Sequence, residues 1–169
     1  MEIKYIKGDA TSPIIVDGKK SLIVHCVNTL GAWGKGFVVP LGKKYPQSRK
    51  VYDEFIHRYK DGIYKELLGT ICIAMNVADN IDVINLFGQE RIYPTIKNGE
   101  KLIPLDYNAL RKGFSKIVND YCPLLETPIT VHMPRIGCGL AGGDWNVVEK
   151  IINETLISKG IEVFVYNLK

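Results

Sequence analysis

The chain has no apolar run long enough to cross a bilayer, and its opening Met-Glu-Ile-Lys-Tyr-Ile-Lys lacks the hydrophobic stretch of a signal peptide. Neither a membrane anchor nor export is expected. The four cysteines, Cys26, Cys72, Cys122 and Cys138, include no C-x-x-C pair, and Cys26 and Cys72 fall inside apolar runs where a free thiol packs as a small hydrophobe. Reduced cysteines in a cytoplasmic protein are therefore expected. With three dispersed histidines and no H-E-x-x-H, no metal site is expected. Charge is not concentrated either: 22 basic and 18 acidic residues leave a net +4. The nearest approach to a basic stripe is Lys19-Lys20 and Lys43-Lys44, without interleaved aromatics, so nucleic acid is not an expected partner. A Walker A loop is missing, and the first glycine cluster, Gly31-x-x-Gly34-x-Gly36, does not follow the G-x-G-x-x-G spacing of a dinucleotide fold. No cofactor is expected.

What remains is an ordinary globular chain: 169 residues with 46% hydrophobic content suit one compact domain spanning 1–169, a monomer burying about two thirds of its unfolded surface. Its organising stretch is Ser21-Leu-Ile-Val-His-Cys-Val-Asn-Thr-Leu-Gly-Ala-Trp-Gly-Lys-Gly36, an apolar strand running into a glycine-rich bend. A strand, a glycine turn and then a helix leave bare backbone N–H groups where an anion can sit. The same grammar returns at Ile129-Thr-Val-His-Met-Pro-Arg-Ile-Gly-Cys-Gly-Leu-Ala-Gly-Gly-Asp144. If the two strands are parallel in one sheet, both loops open at its C-terminal edge and face each other across a common cleft.

The rest of the chain supplies the sheet and its cover. Glu2 to Ile6 alternates as an edge strand, and Lys35 to Leu41 reads as a helix that tolerates Pro40 near its first turn. Pro46 opens a second helix with an apolar stripe through Val51, Tyr52, Phe55, Ile56 and Tyr59, closed by Gly62. Thr70 to Val77 and Ile81 to Phe87 are strands joined across Asp79-Asn80, and Gly88 to Leu105 reads as a long loop. A helix from Asp106 to before Pro123 follows, then the strand Ile129 to Met133, a helix capped by Asp144 and closed by Gly160, and a last strand, Ile161 to Tyr166. This order predicts a three-layer α/β/α sandwich over a mixed central sheet.

Individual side chains admit more than one role at this stage. Asp9 either accepts from an exocyclic amine of a base or caps its own turn. His25 has the pKa class of a proton-transfer group, but alternation along the strand does not reveal which layer its ring enters. Lys35 and Arg135 are candidate charge partners for an anion, and Arg135 is equally readable as a strand-end anchor. Cys26, one position from His25 and so on the opposite face, and Cys138 are not expected to be catalytic.

His25-Cys-Val-Asn-Thr-Leu-Gly-Ala-Trp-Gly-Lys-Gly-Phe37 and Met133-Pro-Arg-Ile-Gly-Cys-Gly-Leu-Ala-Gly-Gly-Asp-Trp145 resemble the signature loops of the macro domain. Gly8-Asp9-Ala10 and Asn85-Leu-Phe-Gly-Gln89 resemble its other signature segments, so the likeness covers nearly the whole chain. Within the family it is similar to the branch holding the yeast-type ADP-ribose 1″-phosphate phosphatases and the terminal ADP-ribose glycohydrolases. The resemblance implies that Asp9, beside Ala10, accepts from adenine and that Asn28 binds the distal ribose. It further implies that Gly34, Lys35, Gly36 and Phe37, with Ile136, Gly137, Cys138, Gly139, Leu140 and Ala141, line the diphosphate and distal ribose. Ile136, Tyr166 and Asn167 are candidates for the adenine walls. The glycohydrolase lysine and aspartate match Gly88 and Ala141, and a lysine nucleophile with an acidic partner cannot be built from glycine and alanine. The implied activity is therefore hydrolysis of ADP-ribose 1″-phosphate, with Asn28 orienting the ribose or a water and His25 transferring a proton. The alternatives are cleavage of ADP-ribose esters, including those on ADP-ribosylated proteins, and a non-catalytic ADP-ribose-binding module.

Overall fold

A computed structural model describes residues 1–58 and 64–168. Its centre is a six-stranded sheet in the order β1-β8-β7-β2-β4-β3. The strands are β1 (Lys4–Lys7), β2 (Lys20–Asn28), β3 (Ile71–Ala78), β4 (Ile81–Gln89), β7 (Ile129–Met133) and β8 (Glu162–Asn167). Neighbours pair in parallel except β3, which runs antiparallel to β4, so the sheet is mixed. The helices are α1 (Val38–Lys44), α2 (Pro46–Arg58), α3 (Tyr107–Lys116) and α4 (Trp145–Thr155).

Alternation along β2 sorts the core into two layers. Leu22 and Val24 join Ile84 and Leu86 of β4 under Leu110 and Phe114 of α3 and Val148 and Ile152 of α4. Ile23 and Val27 join Val83 and Phe87 under Leu41 of α1 and Tyr52 of α2. Because strands β2 and β4 are buried on both faces, their near-continuous apolar sequence is what a parallel sheet between two helical layers requires. The architecture is thus the expected α/β/α sandwich over a mixed sheet.

Several boundaries differ from the sequence reading, some by one or two residues and others by more. Helix α1 begins at Val38 rather than Lys35, because Gly36 stands at φ +85°, a left-handed conformation that cannot continue a helix backwards. The segment Gly88 to Leu105 is not all loop: β4 continues to Gln89, and β5 (Thr95–Lys97) and β6 (Glu100–Leu102) form a hairpin turned by Asn98-Gly99, both at positive φ. Helix α3 passes into a π turn at Ile117–Tyr121, and Pro123 lies within a terminal 3-10 turn, Cys122–Leu124, rather than beyond the helical segment. Tyr59 and Gly62 lie outside the described residues. Asp106 and Asp144 cap α3 and α4, accepting from the amides of Ala109 and Asn146, but α4 ends at Thr155, and Gly160, left-handed at φ +79°, closes the 3-10 turn Ile157–Lys159 that follows it. Among the described residues no helix is long and apolar enough to cross a membrane.

Candidate functional site

Strands β2 and β7 are parallel neighbours, so the chain leaves both at the same sheet edge, and the two glycine loops meet there around one cavity of about 440 Å³. The wall from the first loop contains Asn28, Gly34, Lys35, Gly36 and Phe37; that from the second contains Ile136, Gly137, Gly139, Leu140 and Ala141. Among the described residues, the amides of Gly34 to Phe37 and of Gly137 and Gly139 to Ala141 make no internal hydrogen bond. Unpaired N–H groups converging from two sides are complementary to an anion with many acceptor oxygens.

Asn28 ends β2 and pins its own loop. Its Oδ1 accepts from the amides of Leu30 (3.0 Å) and Ala32 (3.1 Å), and Nδ2 donates to the Ala32 carbonyl (2.8 Å). Tyr52, buried under the loop, donates its hydroxyl to the Asn28 carbonyl at 2.6 Å. One Nδ2 hydrogen of Asn28 is left to offer a ligand.

His25 lines the cavity but is only 1% exposed, seated edge-on to Trp33 and beside Phe37. Its Nε2 pairs with Asn85 Oδ1, and the Asn85 amide is oriented by donating Nδ2 to the Ser48 carbonyl at 3.1 Å. That assigns the proton to Nε2 and leaves Nδ1 as an unpaired acceptor. Burial lowers the imidazole to a pKa of about 4, so the ring is neutral near pH 7. A proton-donating imidazolium is not available here.

Cys26 also lines the cavity, from the opposite face of β2, and burial pushes its thiol up to about 12. Cys138 packs against the α3/α4 core outside the lining, with its thiol raised by burial to about 11. Neither is a thiolate at neutral pH. Gly88 has no room for a side chain: a Cβ there would fall 2.5 Å from Cys26 Sγ. Among the described residues no carboxylate lines the cavity, and its cationic side chains are Lys35 and Arg135. Among the described residues no group of three or more His, Cys, Asp or Glu is placed to hold a metal ion.

Four other expected residues stand beyond the lining. Asp9 is exposed, and its Oδ1 accepts from the amide (2.8 Å) and hydroxyl (2.9 Å) of Thr11, the turn-capping arrangement, with Oδ2 still open. Ala10 is buried with Phe164 and Tyr166, a cluster that Phe37 joins from the cleft. Asn167 accepts from Arg135 Nε at 2.8 Å. Tyr166 is core, its hydroxyl accepting from the Ile14 amide and pairing with His132 Nδ1. Sequence reasoning missed Gln89, Ile92 and Tyr93, which wall the cavity from the end of β4 and the segment after it; the length of that segment was the available signal. The second loop does spell G-x-G-x-x-G from Gly137 to Gly142, but α4 starts only at Trp145, so the glycines form a free-standing bend and not the helix-opening turn of a dinucleotide fold.

No family model matches the chain. Among curated proteins it is similar to the ADP-ribose 1″-phosphate phosphatase of Candida albicans, 29% identical over 90% of this chain and 92% of that protein. Among solved structures it is similar to a protein of unknown function from Bacteroides thetaiotaomicron, 40% identical with a TM-score of 0.85 over 98% of each chain. A macrodomain protein from Streptomyces coelicolor is 34% identical with a TM-score of 0.76, over 98% of this chain and 99% of that one. Identity at that level over nearly the full length of both chains, on a sheet whose two glycine loops share one cleft, means that the chain belongs to the macrodomain family.

Proposed function

We propose that the protein binds ADP-ribose and its derivatives in this cleft and hydrolyses ADP-ribose 1″-phosphate to ADP-ribose and phosphate. The observation that carries the reading is the pair of facing loops with unpaired amides around a cavity free of carboxylates. A diphosphate has more acceptor oxygens than one loop can satisfy, and a carboxylate among them would repel it. The name of the yeast relative supports the choice of a terminal phosphate.

In this reading water adds to phosphorus, the bond from phosphorus to the C1″ oxygen breaks, and the proton lost by water ends on the departing sugar oxygen. Asn28 directs its remaining Nδ2 hydrogen to the distal ribose or to the water. His25 enters only as a neutral acceptor through Nδ1, since its low pKa leaves no proton to give. Asp9 Oδ2 and the Asn167 side chain flank the adenine end. The absence of a cleft carboxylate also favours a second reading, a module that binds ADP-ribose without turnover.

Titration should show ADP-ribose binding more tightly than AMP or NAD, because only it engages both loops with a free distal ribose. An assay panel then separates the chemistries: phosphate release from ADP-ribose 1″-phosphate, and ADP-ribose release from an acetylated sugar and from a glutamate-linked protein. Phosphate release falling by about 10²-fold in Asn28→Ala, with a smaller loss in His25→Ala, is the expected pattern. Tight binding without turnover on any substrate leaves the module.

A further inference from the structure

Of the two cations in the cleft, Arg135 is committed. Its guanidinium lies 5.5 Å from the Tyr5 ring centroid and 5.0 Å from that of Trp145, while Nε donates to Asn167. These contacts hold it between the second loop and the β1/β8 edge. Lys35 is different. It projects from the first glycine loop and, among the described residues, has neither a carboxylate nor a hydrogen-bond partner. Its ammonium rests 5.0 Å from the ring centroid of Tyr93, which lines the cavity from the segment between β4 and β5. The contact therefore joins two parts of the lining that are far apart in sequence.

A cation over an aromatic face is held weakly at a partly exposed site, and Tyr93 is 45% exposed. An ammonium beside a phosphate dianion makes charge-assisted hydrogen bonds, which are the stronger interaction. A neutral hydroxyl or an acyl ester provides no such exchange. We propose that Lys35 is a specificity-determining residue for the terminal group of the ligand: parked on Tyr93 in the free protein, it transfers to a dianionic phosphate on the distal ribose. The cleft thus selects a terminal phosphate over a free or esterified hydroxyl. This rests on the ADP-ribose reading above, in which the distal ribose lies against Asn28 at the base of the loop that carries Lys35.

The test uses two ligands: ADP-ribose, and its 1″-methylenephosphonate analogue, which carries the dianion and cannot be hydrolysed. Calorimetric titration of the full chain should show the phosphonate binding at least about tenfold more tightly than ADP-ribose, a margin of about 1.4 kcal/mol. In Lys35→Gln that preference should collapse to within about twofold, the phosphonate losing at least about fivefold more affinity than ADP-ribose. In Tyr93→Leu, which removes the competing ring, phosphonate affinity should rise relative to that of ADP-ribose. Equal losses for both ligands in Lys35→Gln would make the lysine a general phosphate contact and overturn the proposal, as would a phosphonate preference that survives the substitution. Equal losses in Tyr93→Leu would make the ring a cover for the sugar and overturn the exchange. A wild-type chain that binds neither ligand would remove the functional reading itself, an outcome distinct from binding without preference.

Discussion

At the scale of single residues, the two buried histidines set how the protein responds to acid. His25 and His132 are 1% and 0% exposed, and burial lowers both to pKa values of about 4. Above about pH 6.5 both rings are neutral whether the chain is folded or not, and their full contribution to stability is present. Between about pH 6.5 and 4 the unfolded chain takes up protons that the folded chain refuses, so stability falls as pH falls. At about 1.4 kcal/mol per pKa unit the loss approaches about 3 kcal/mol per ring. Urea midpoints measured at pH 7 and pH 4.5 check this, and His132→Gln should show a flatter decline; an unchanged slope would refute the assignment. His25 also marks where sequence reading ran out. Its membership of β2 and its place opposite Cys26 were legible from alternation. Its partner Asn85, from a strand about sixty residues further along, was not, and that partner determines the tautomer.

At the scale of elements, the feature that shapes the cleft floor is an irregularity in the pairing of β2 with β4. Register runs one for one from Ser21 opposite Ile81 to Val27 opposite Phe87, then skips Gly88, so that Asn28 stands opposite Gln89. The slip puts Gly88 and Gln89 both near Cys26, whose Sγ lies 3.6 Å from Gln89 Oε1. Gly88→Ala should therefore destabilise the protein by about 1–3 kcal/mol through overpacking, and Cys26→Ala in the same chain should recover part of that loss. A denaturant double-mutant cycle with no coupling would show that the thiol swings aside freely. Strands β2 and β7 and helix α4 were readable because each keeps one apolar period along its length and has a turn or cap residue at its boundary. The β5/β6 hairpin was not, since two three-residue strands are too short for a period, although Asn98-Gly99 is a strong turn signal. Tyr93 was missed with it, because nothing in the sequence says which residues of a long segment fold back over a distant loop.

At the scale of the whole molecule, the cleft occupies one rim of the sheet and a buried polar network the other. Asp82, at the start of β4 and fully buried, pairs with Lys20 at 3.0 Å, accepts from the Asn76 amide at 2.8 Å, and accepts from the Tyr121 hydroxyl. Tyr121→Phe leaves one carboxylate oxygen short of a donor and should cost about 1–3 kcal/mol. Ligand affinity measured at saturating folded protein should be unchanged, because the network and the cleft lie at opposite ends of the strands; a parallel loss of affinity would show the two rims to be coupled. The strand order carries a consequence for how such a chain is made. Strand β2 acquires its neighbour β7 only after about a hundred intervening residues, and β1 has no neighbour until β8, the last strand, exists. During synthesis on a ribosome, then, the first glycine loop emerges long before its counterpart, and the β1 edge closes last. A nascent chain that stops before the second loop holds only half of the cleft, so the cleft is whole only once translation has passed that loop.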